Sequence, residues 1–335
     1  MTFTSVPENW APAFADATYA FESDTEEAVE ITVRDMRSGG QLGVKRLYPT
    51  QGHSVNIAGY LGRCFDMQPL TTRGGGVWSA PGRTAKAGVE AGGTAAPTVA
   101  YTASCGRVPA RGMMSAIRRT TIRPGEYDEI PVLIPGENIE ARAVLRGRGE
   151  REIPIGSLAA GEEAAVAVVS MPQIAASLFS MFGEKLEIYR DMRVEVRGNG
   201  TLAASRTYML EHDAGGGMRL AWVNDLGGLD FCTFPIVQSR SVAASKQRIF
   251  TPEGYRTVMS RREHIMLLSS GYQPEERMAW IAGAVSSPRV WRCDAEGRSD
   301  EVDIVTDSAV ESCAGLSSLT LAVRTARPDA ARLLS

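Results

Sequence analysis

Ala221-Trp222-Val223-Asn224-Asp225-Leu226-Gly227-Gly228-Leu229-Asp230-Phe231-Cys232-Thr233-Phe234 is the stretch whose reading decides the fold. It reads as strand, turn, strand. Arg219, Ala221 and Val223 alternate with Leu220 and Trp222, so the first strand carries bulk on both faces. Asn224 to Gly228 form the turn: Asn and Asp bond their own backbone, and the two Gly supply positive φ. Leu229, Phe231 and Thr233 then alternate with Asp230, Cys232 and Phe234, and Pro235, which has no N–H for a ladder, ends the pairing. Trp222, Phe231 and Phe234 are the predicted core of this hairpin, with positive φ at Gly227 or Gly228.

The rest of the chain is built from the same kind of piece. Val29, Ile31 and Val33 alternate with Glu30, Thr32 and Arg34, turn at Ser38-Gly39-Gly40 and return through Leu42 to Tyr48, with Pro49 closing the hairpin. Residues 71–96, between Gly74-Gly75-Gly76 and Gly92-Gly93, read as a Gly-rich excursion, poorly ordered until a partner covers it. Three Pro and two Gly fall close together near Pro124 to Pro135, with Gly125 inside that range and Gly136 just after it, and mark a boundary. Beyond it, Ala164 to Val169 reads as a buried strand leading to a helical turn over Gln173 to Met181. Lys185 to Tyr189, Met192 to Val196 and Thr201 to Leu210 alternate as strands.

From about Ser245, Gln247 to Phe250 and Arg256 to Met259 bracket a turn at Pro252-Glu253-Gly254. Pro274 to Val285 is the best helix: Pro274 suits the first turn, Glu275 and Glu276 complement the dipole, and Met278, Ile281, Ala282 and Val285 share a face. The expected fold is mainly β, with tandem β-sandwich-like domains and a small α+β C-terminal unit. The expected units are residues 1–123 (with the 71–96 excursion), 124–244 (completed by the Trp222–Phe234 hairpin) and 245–335.

The 335 residues allow two or three domains. A net charge of −3 gives no basic field for nucleic acid. No apolar run reaches the roughly 20 residues of a membrane span, and Met1 to Trp10 lacks the pattern of a secretory signal. Cys64, Cys105, Cys232, Cys293 and Cys313 are odd in number, lie far apart and form no Cys-x-x-Cys, so they are expected as reduced thiols. Cys232 and Cys293 read as small core residues.

Catalytic patterns are missing. His53, His212 and His264 have no metal-ligand spacing, and Glu211-His212-Asp213 beside Gly215-Gly216-Gly217 reads as a solvated loop. Glu26-Glu27, Glu162-Glu163 and Glu275-Glu276 are sequence neighbours and point apart if on strands. Ser104-Cys105-Gly106 is no nucleophile elbow, and Gly74-Gly75-Gly76 lacks the Lys-Ser/Thr of a P-loop. Arg118-Arg119 and Arg261-Arg262 suit ion pairs or interfaces. No catalytic, cofactor-binding or metal-binding residue, and no cofactor, is therefore assigned.

The pattern Trp222-x-Asn224-x-x-Gly227-Gly228-x-Asp230-x-x-x-Phe234 resembles a hairpin of virion structural proteins of tailed phages and prophages of Bacteroidetes. The similarity extends loosely to Ser54–Leu61, Gly271–Glu276 and Ser286–Trp291. It implies a non-enzymatic tail or baseplate component, located in the virion after assembly in the host cytoplasm. Its partners would be identical copies in a ring and other virion proteins, with no nucleic acid and no membrane span. The alternative is a surface carbohydrate- or protein-binding module on tandem sandwiches. A hydrolase on a β-scaffold would want the convergent motif that is missing.

Overall fold

A computed structural model describes the chain except for residues 16, 24–26, 49–52, 110, 148, 213–214, 310–314, 326–331 and 334–335. The expectations placed on Glu26, Pro49, Asp213 and Cys313 lie outside the described residues. The chain is mainly β, as its alternating segments predict, with strands gathered into five sheets.

Two of these sheets enclose the N-terminal core. Thr2–Ser5, Thr18–Glu22 and His53–Asn56 form one. The other is built around Thr84–Ala91 and Val29–Asp35, flanked by Val99–Thr102 and Gln41–Leu47. Tyr19, Phe21 and Val55 from the first sheet meet Ile31, Val33, Ala87 and Tyr101 from the second, all buried. The Tyr19 and Tyr101 hydroxyls bond each other at 2.9 Å inside this core.

A second pair of sheets forms the middle body. Tyr127–Leu133 and Ala165–Ser170 lie side by side in one, and Ile139–Arg146, Asp191–Gly198 and Thr201–Leu210 in the other. Ala165–Ser170 is buried along its whole length, as its unbroken Ala/Val run predicts for a strand covered on both faces. The helix that follows runs Met171–Phe182, starting two residues before and ending one residue after the expected Gln173 to Met181. Ser170 Oγ accepts from Gln173 N–H at its start, Pro172 fits the first turn, and Gly183 closes it at φ +68°.

The fifth sheet belongs to the C-terminal part. Its order is Leu229–Phe234, Met218–Val223, Val290–Cys293, Ser299–Ile304, Thr320–Thr325, Gly254–Ser269 and Ile236–Thr251. The predicted helix covers one face as Glu275–Ser286, directly after Pro274, and buries Met278, Ile281 and Ala284 against Leu220 and Trp222.

Three organisational expectations differ from this architecture. Residues 71–96 are not an unstructured excursion: Gly76–Ser79 pairs with Ala165–Ser170 in the middle body, and Thr84–Ala91 is an interior strand of the N-terminal sheet. Its small residues, Ala85, Ala87 and Ala91, are buried rather than mobile, because small side chains suit close packing as well as turns. The central hairpin does not complete the middle sheet; it pairs with Val290–Cys293 through Ala221↔Trp291. A boundary at 244 would fall inside the strand Ile236–Thr251, while Gly112–Met113 and Arg119–Ile122, placed before 123, pair with middle-body strands. Alternation fixes which face of a strand is apolar, not which strand lies beside it.

That long strand and its partner form the feature least visible in the sequence. Ile236–Thr251 and Gly254–Ser269 are each 16 residues and pair antiparallel around a turn at Pro252-Glu253. Only residues 265–269 of the pair's inner strand bond Thr320–Thr325, and Met259 and Ser260 touch the short Arg332–Leu333. The outer portion, residues 254–264 with their partners, is an arm of roughly 35 Å at about 3.3 Å per residue.

Candidate functional site

The central hairpin sits where the three bodies meet, and its turn explains its sequence. Asn224 Oδ1 accepts from the N–H groups of Leu226 (2.9 Å) and Gly228 (3.1 Å), and its Nδ2 donates to the Met114 carbonyl at 3.2 Å. Gly227 has φ +75°, as predicted, and a Cβ there would lie 2.6 Å from the Ala103 carbonyl oxygen. A Cβ on Gly228 would lie 2.1 Å from the Met114 carbonyl oxygen. The two glycines thus serve close approach of the turn to the N-terminal and middle bodies as well as chain reversal. Trp222 is 1% exposed and stacks at a tilt on Trp280 of the C-terminal helix, 5.2 Å between ring centres.

Beneath the hairpin lies a buried ionic network. Arg219 Nη2 donates to Asp128 Oδ2 at 3.1 Å, Nη1 to Glu126 and Thr233, and Nε to the Tyr127 carbonyl. Arg206, 1% exposed, donates to Asp128 Oδ1 and the Glu129 carbonyl, each at 3.0 Å, and to Ser115 Oγ at 2.7 Å. Ser115 Oγ donates to Asp230 Oδ1 at 2.6 Å, and Trp280 Nε1 donates to Asp230 Oδ2 at 2.9 Å. Glu129 is held by Arg83 and the Leu70 N–H. The network therefore ties strands of the middle and C-terminal sheets to the helix, and through Arg83 and Leu70 to the segment that leads into Thr84–Ala91. Burial opposes the Arg206 charge, but Tyr208, Asp128 and Asp230 around it outweigh that and hold its pKa above the ordinary value. These carboxylates are saturated by guanidinium and N–H donors, so the geometry is that of a lock rather than of a general acid or base.

The residues singled out by sequence remain scattered. His53 packs on the Phe21 ring, and His212 Nε2 lies 2.9 Å from the Tyr189 carbonyl. His264 lies in Gly254–Ser269, in the arm. Glu162 and Glu163 pair separately with Lys86 and Arg37. Gly75 N–H donates to Gln173 Oε1 rather than standing open as a phosphate cradle. Arg118 reaches the Met113 sulfur and Arg119 the Met209 sulfur. Cys232 and Cys293 are buried in strands flanking Met218–Val223; burial pushes the Cys293 thiol up to about 12, against the Arg219 charge. Cys105 is exposed and Cys64 half-buried. No group of three or more His, Cys, Asp or Glu is placed to hold a metal among the described residues, and no helix is long and apolar enough to cross a membrane.

Two surface features remain. One is a cleft of about 520 Å³ between the hairpin turn, the C-terminal helix and the N-terminal body, floored by Trp222, Trp280 and Asp230. The other is the arm. Every described side chain of Ile236–Thr251 is exposed except half-buried Val237 and Thr251, and the tip displays Phe250 and Tyr255, 74% and 77% exposed, packed edge to face on each other. Arg240, Lys246, Arg248, Arg261 and Arg262 make no ion pair among the described residues. Sequence reasoning found the tip of the arm, as the strands Gln247 to Phe250 and Arg256 to Met259 around Pro252-Glu253-Gly254, but missed its length and exposure and missed the ionic network; Arg206, in phase with the core residues Ala204 and Tyr208, was the available signal for the network.

No family model matches the chain, and no curated protein matches it. Among solved structures it is similar to fibronectin(III)-like modules of Clostridium thermocellum CbhA, at 9% identity and a TM-score of 0.16 over 63% of this chain and 93% of that one. A marsupial T cell receptor matches at 7% identity and a TM-score of 0.20, over 80% of this chain and 96% of that one. The I9-I11 tandem of titin matches at 7% and 0.16, over 80% and 94%.

Proposed function

We propose that this chain is a non-enzymatic structural subunit of a phage or phage-like particle, of the tail or baseplate, that works as a symmetric homo-oligomer. The observation that carries the reading is the arm. Ile236–Thr251 leaves the body with almost every side chain exposed, and the outer part of its partner is at most half-buried and is paired only at Met259 and Ser260 with Arg332–Leu333. The arm therefore buries little to repay its ordering, since a two-stranded hairpin is marginal on its own. Ile249, Phe250 and Tyr255 at its outer end are costly to leave in solvent and suit burial against a neighbour. An arm that reaches one patch on a different patch of an identical copy generates a ring when the rotation closes. The hairpin resemblance to tail and baseplate proteins supports the same reading.

The test is self-association of the purified chain, by light scattering and negative-stain microscopy over a wide concentration range. Rings or tubes that disappear when residues 241–262 are replaced by a short turn are expected. A chain that stays monomeric at high concentration, or that turns over a small substrate, overturns the proposal.

A further inference from the structure

The cleft and the arm are complementary in charge as well as in polarity. Residues 236–269 hold six Arg or Lys against two Glu, a net charge of +4; with −3 on the whole chain, the remainder carries −7. Asp225 and Glu276, both exposed and without ion pairs among the described residues, stand at the rim of the cleft. Its lining is largely apolar: Ile117, Val223 and Leu226 join the aromatic rings, Phe14 is 47% exposed there, and Gly283 opens the helix wall so that even a Cβ would sit 3.4 Å from Trp222 Nε1. That indole N–H finds no acceptor among the described residues, in contrast to the Trp280 N–H, which Asp230 takes.

We infer that this cleft receives the tip of the arm of a second copy of the chain. The Phe250–Tyr255 pair would enter between Trp280 and Phe14, the Tyr255 hydroxyl would offer an acceptor to Trp222 Nε1, and Arg248 and Arg256 beside the tip would meet Asp225 and Glu276. An apolar anchor in a pocket ringed by charge pairs is the usual anatomy of a strong contact. Because arm and cleft are different surfaces, the contact is head-to-tail, which suits a ring or a tube and not an isolated two-fold dimer. The inference rests on the assembly reading and specifies its partner surface.

Cys105 lines the cleft and is exposed, so the native chain carries its own probe. A Glu253→Cys variant, which places a thiol in the exposed turn beside the aromatic pair and leaves both rings in place, is combined with Cys64→Ser to remove the other accessible described thiol, treated with a short bismaleimide and mapped by mass spectrometry. Covalent multimers joined between position 253 and Cys105 are expected, and Cys105→Ser should abolish them. Gly283→Leu, which fills the cleft without disturbing the helix, should weaken self-association at least tenfold. Asp225→Lys with Glu276→Lys should do the same, with recovery when Arg248→Glu and Arg256→Glu are added. Arm-dependent assembly whose cross-links map elsewhere, or that Gly283→Leu leaves unchanged, overturns this inference and leaves the assembly reading standing. A monomer under all conditions removes both. Salt-sensitive retention of DNA by the arm, with no cross-link to Cys105, assigns the arm to nucleic acid instead.

Discussion

The hairpin at 218–234 and the arm at 236–269 are consecutive in the chain and lie in the same sheet, yet they are built on opposite principles. The hairpin is covered on both faces, with Leu220 and Trp222 under the helix and Ala221 and Phe231 against Trp291 and Ala103. The charged residues of its strands are driven inward and saturated, Arg219 and Asp230 being 5% and 2% exposed, and only Asp225 in the turn faces water. The arm keeps Arg240, Lys246 and Arg248 in water and its aromatic pair at the far tip. One hairpin therefore spends its side chains on holding three bodies together within the chain, and the other holds almost nothing within it. Strand pairing alone says little about stability; what covers the faces decides it.

The comparison breaks most sharply at Arg206. Arg206→Ala strands Asp128 and Asp230 in a buried site with part of their compensation gone, and should cost about 3–5 kcal/mol. Chemical denaturation should show it as a lower midpoint, and loss of cooperativity between the middle and C-terminal bodies would fit, since the network joins them. A midpoint equal to the parent's would mean the network is not a lock. Trp222→Ala removes the largest ring of the C-terminal core and should cost a similar 3–5 kcal/mol, about, by cavity formation. Fluorescence-detected unfolding measures it, and a loss under about 1 kcal/mol would refute the core role of Trp222.

A smaller effect is expected from pH. Burial raises the Glu195 carboxyl, but Arg142, Arg197 and Arg193 outweigh it and hold its pKa below the ordinary value. A carboxylate with a lowered folded-state pKa contributes stability that is present above its unfolded pKa, about 4.5, and lost as pH falls through the lowered value. Melting temperatures should therefore drop between neutral pH and about pH 3, and the drop should be smaller in Glu195→Gln. An equal drop in both proteins would show that other carboxylates govern acid unfolding.

Thiol chemistry separates the buried strands around the hairpin from the open cleft beside its turn. Cys105 should alkylate in the native protein, while Cys232 and Cys293, buried with raised pKa values, should react only in denaturant. Labelling of Cys293 at the native rate of Cys105 would contradict the packing of Val290–Cys293.

What the sequence revealed follows from the same contrast. Apolar alternation and Gly placement made Trp222, Gly227, the buried strand at 165–170 and the helix after Pro274 legible, because each is a local consequence of period and turn chemistry. Asp128, Glu129 and Arg206 were not, because a charge in a strand is read as its wet face, whereas here partners from other sheets desolvate and neutralise it. The tip of the arm was legible from the turn at Pro252-Glu253-Gly254, but its inner part escaped for the opposite reason: with neither face apolar, residues 236–246 carry no period at all, and only pairing with residues across the turn makes them a strand.

The smallest effect on folding should come from the arm. Phe250→Ala with Tyr255→Ala removes two rings that pack on each other and on nothing of the body, so the cost of unfolding the protomer should change by less than about 0.5 kcal/mol. The reason is that both rings are exposed before and after unfolding, so little apolar area is exchanged with water. Self-association of the same variant should fall steeply, because those rings are the largest and most exposed apolar side chains the arm can deliver to a neighbour. Denaturation and light scattering on one sample measure both quantities. A protomer destabilised by 2 kcal/mol or more would mean that the arm folds back on its own body, and the division of labour between the two hairpins would fail. Unchanged stability with unchanged association would leave the hairpin comparison intact but remove the tip from the interface.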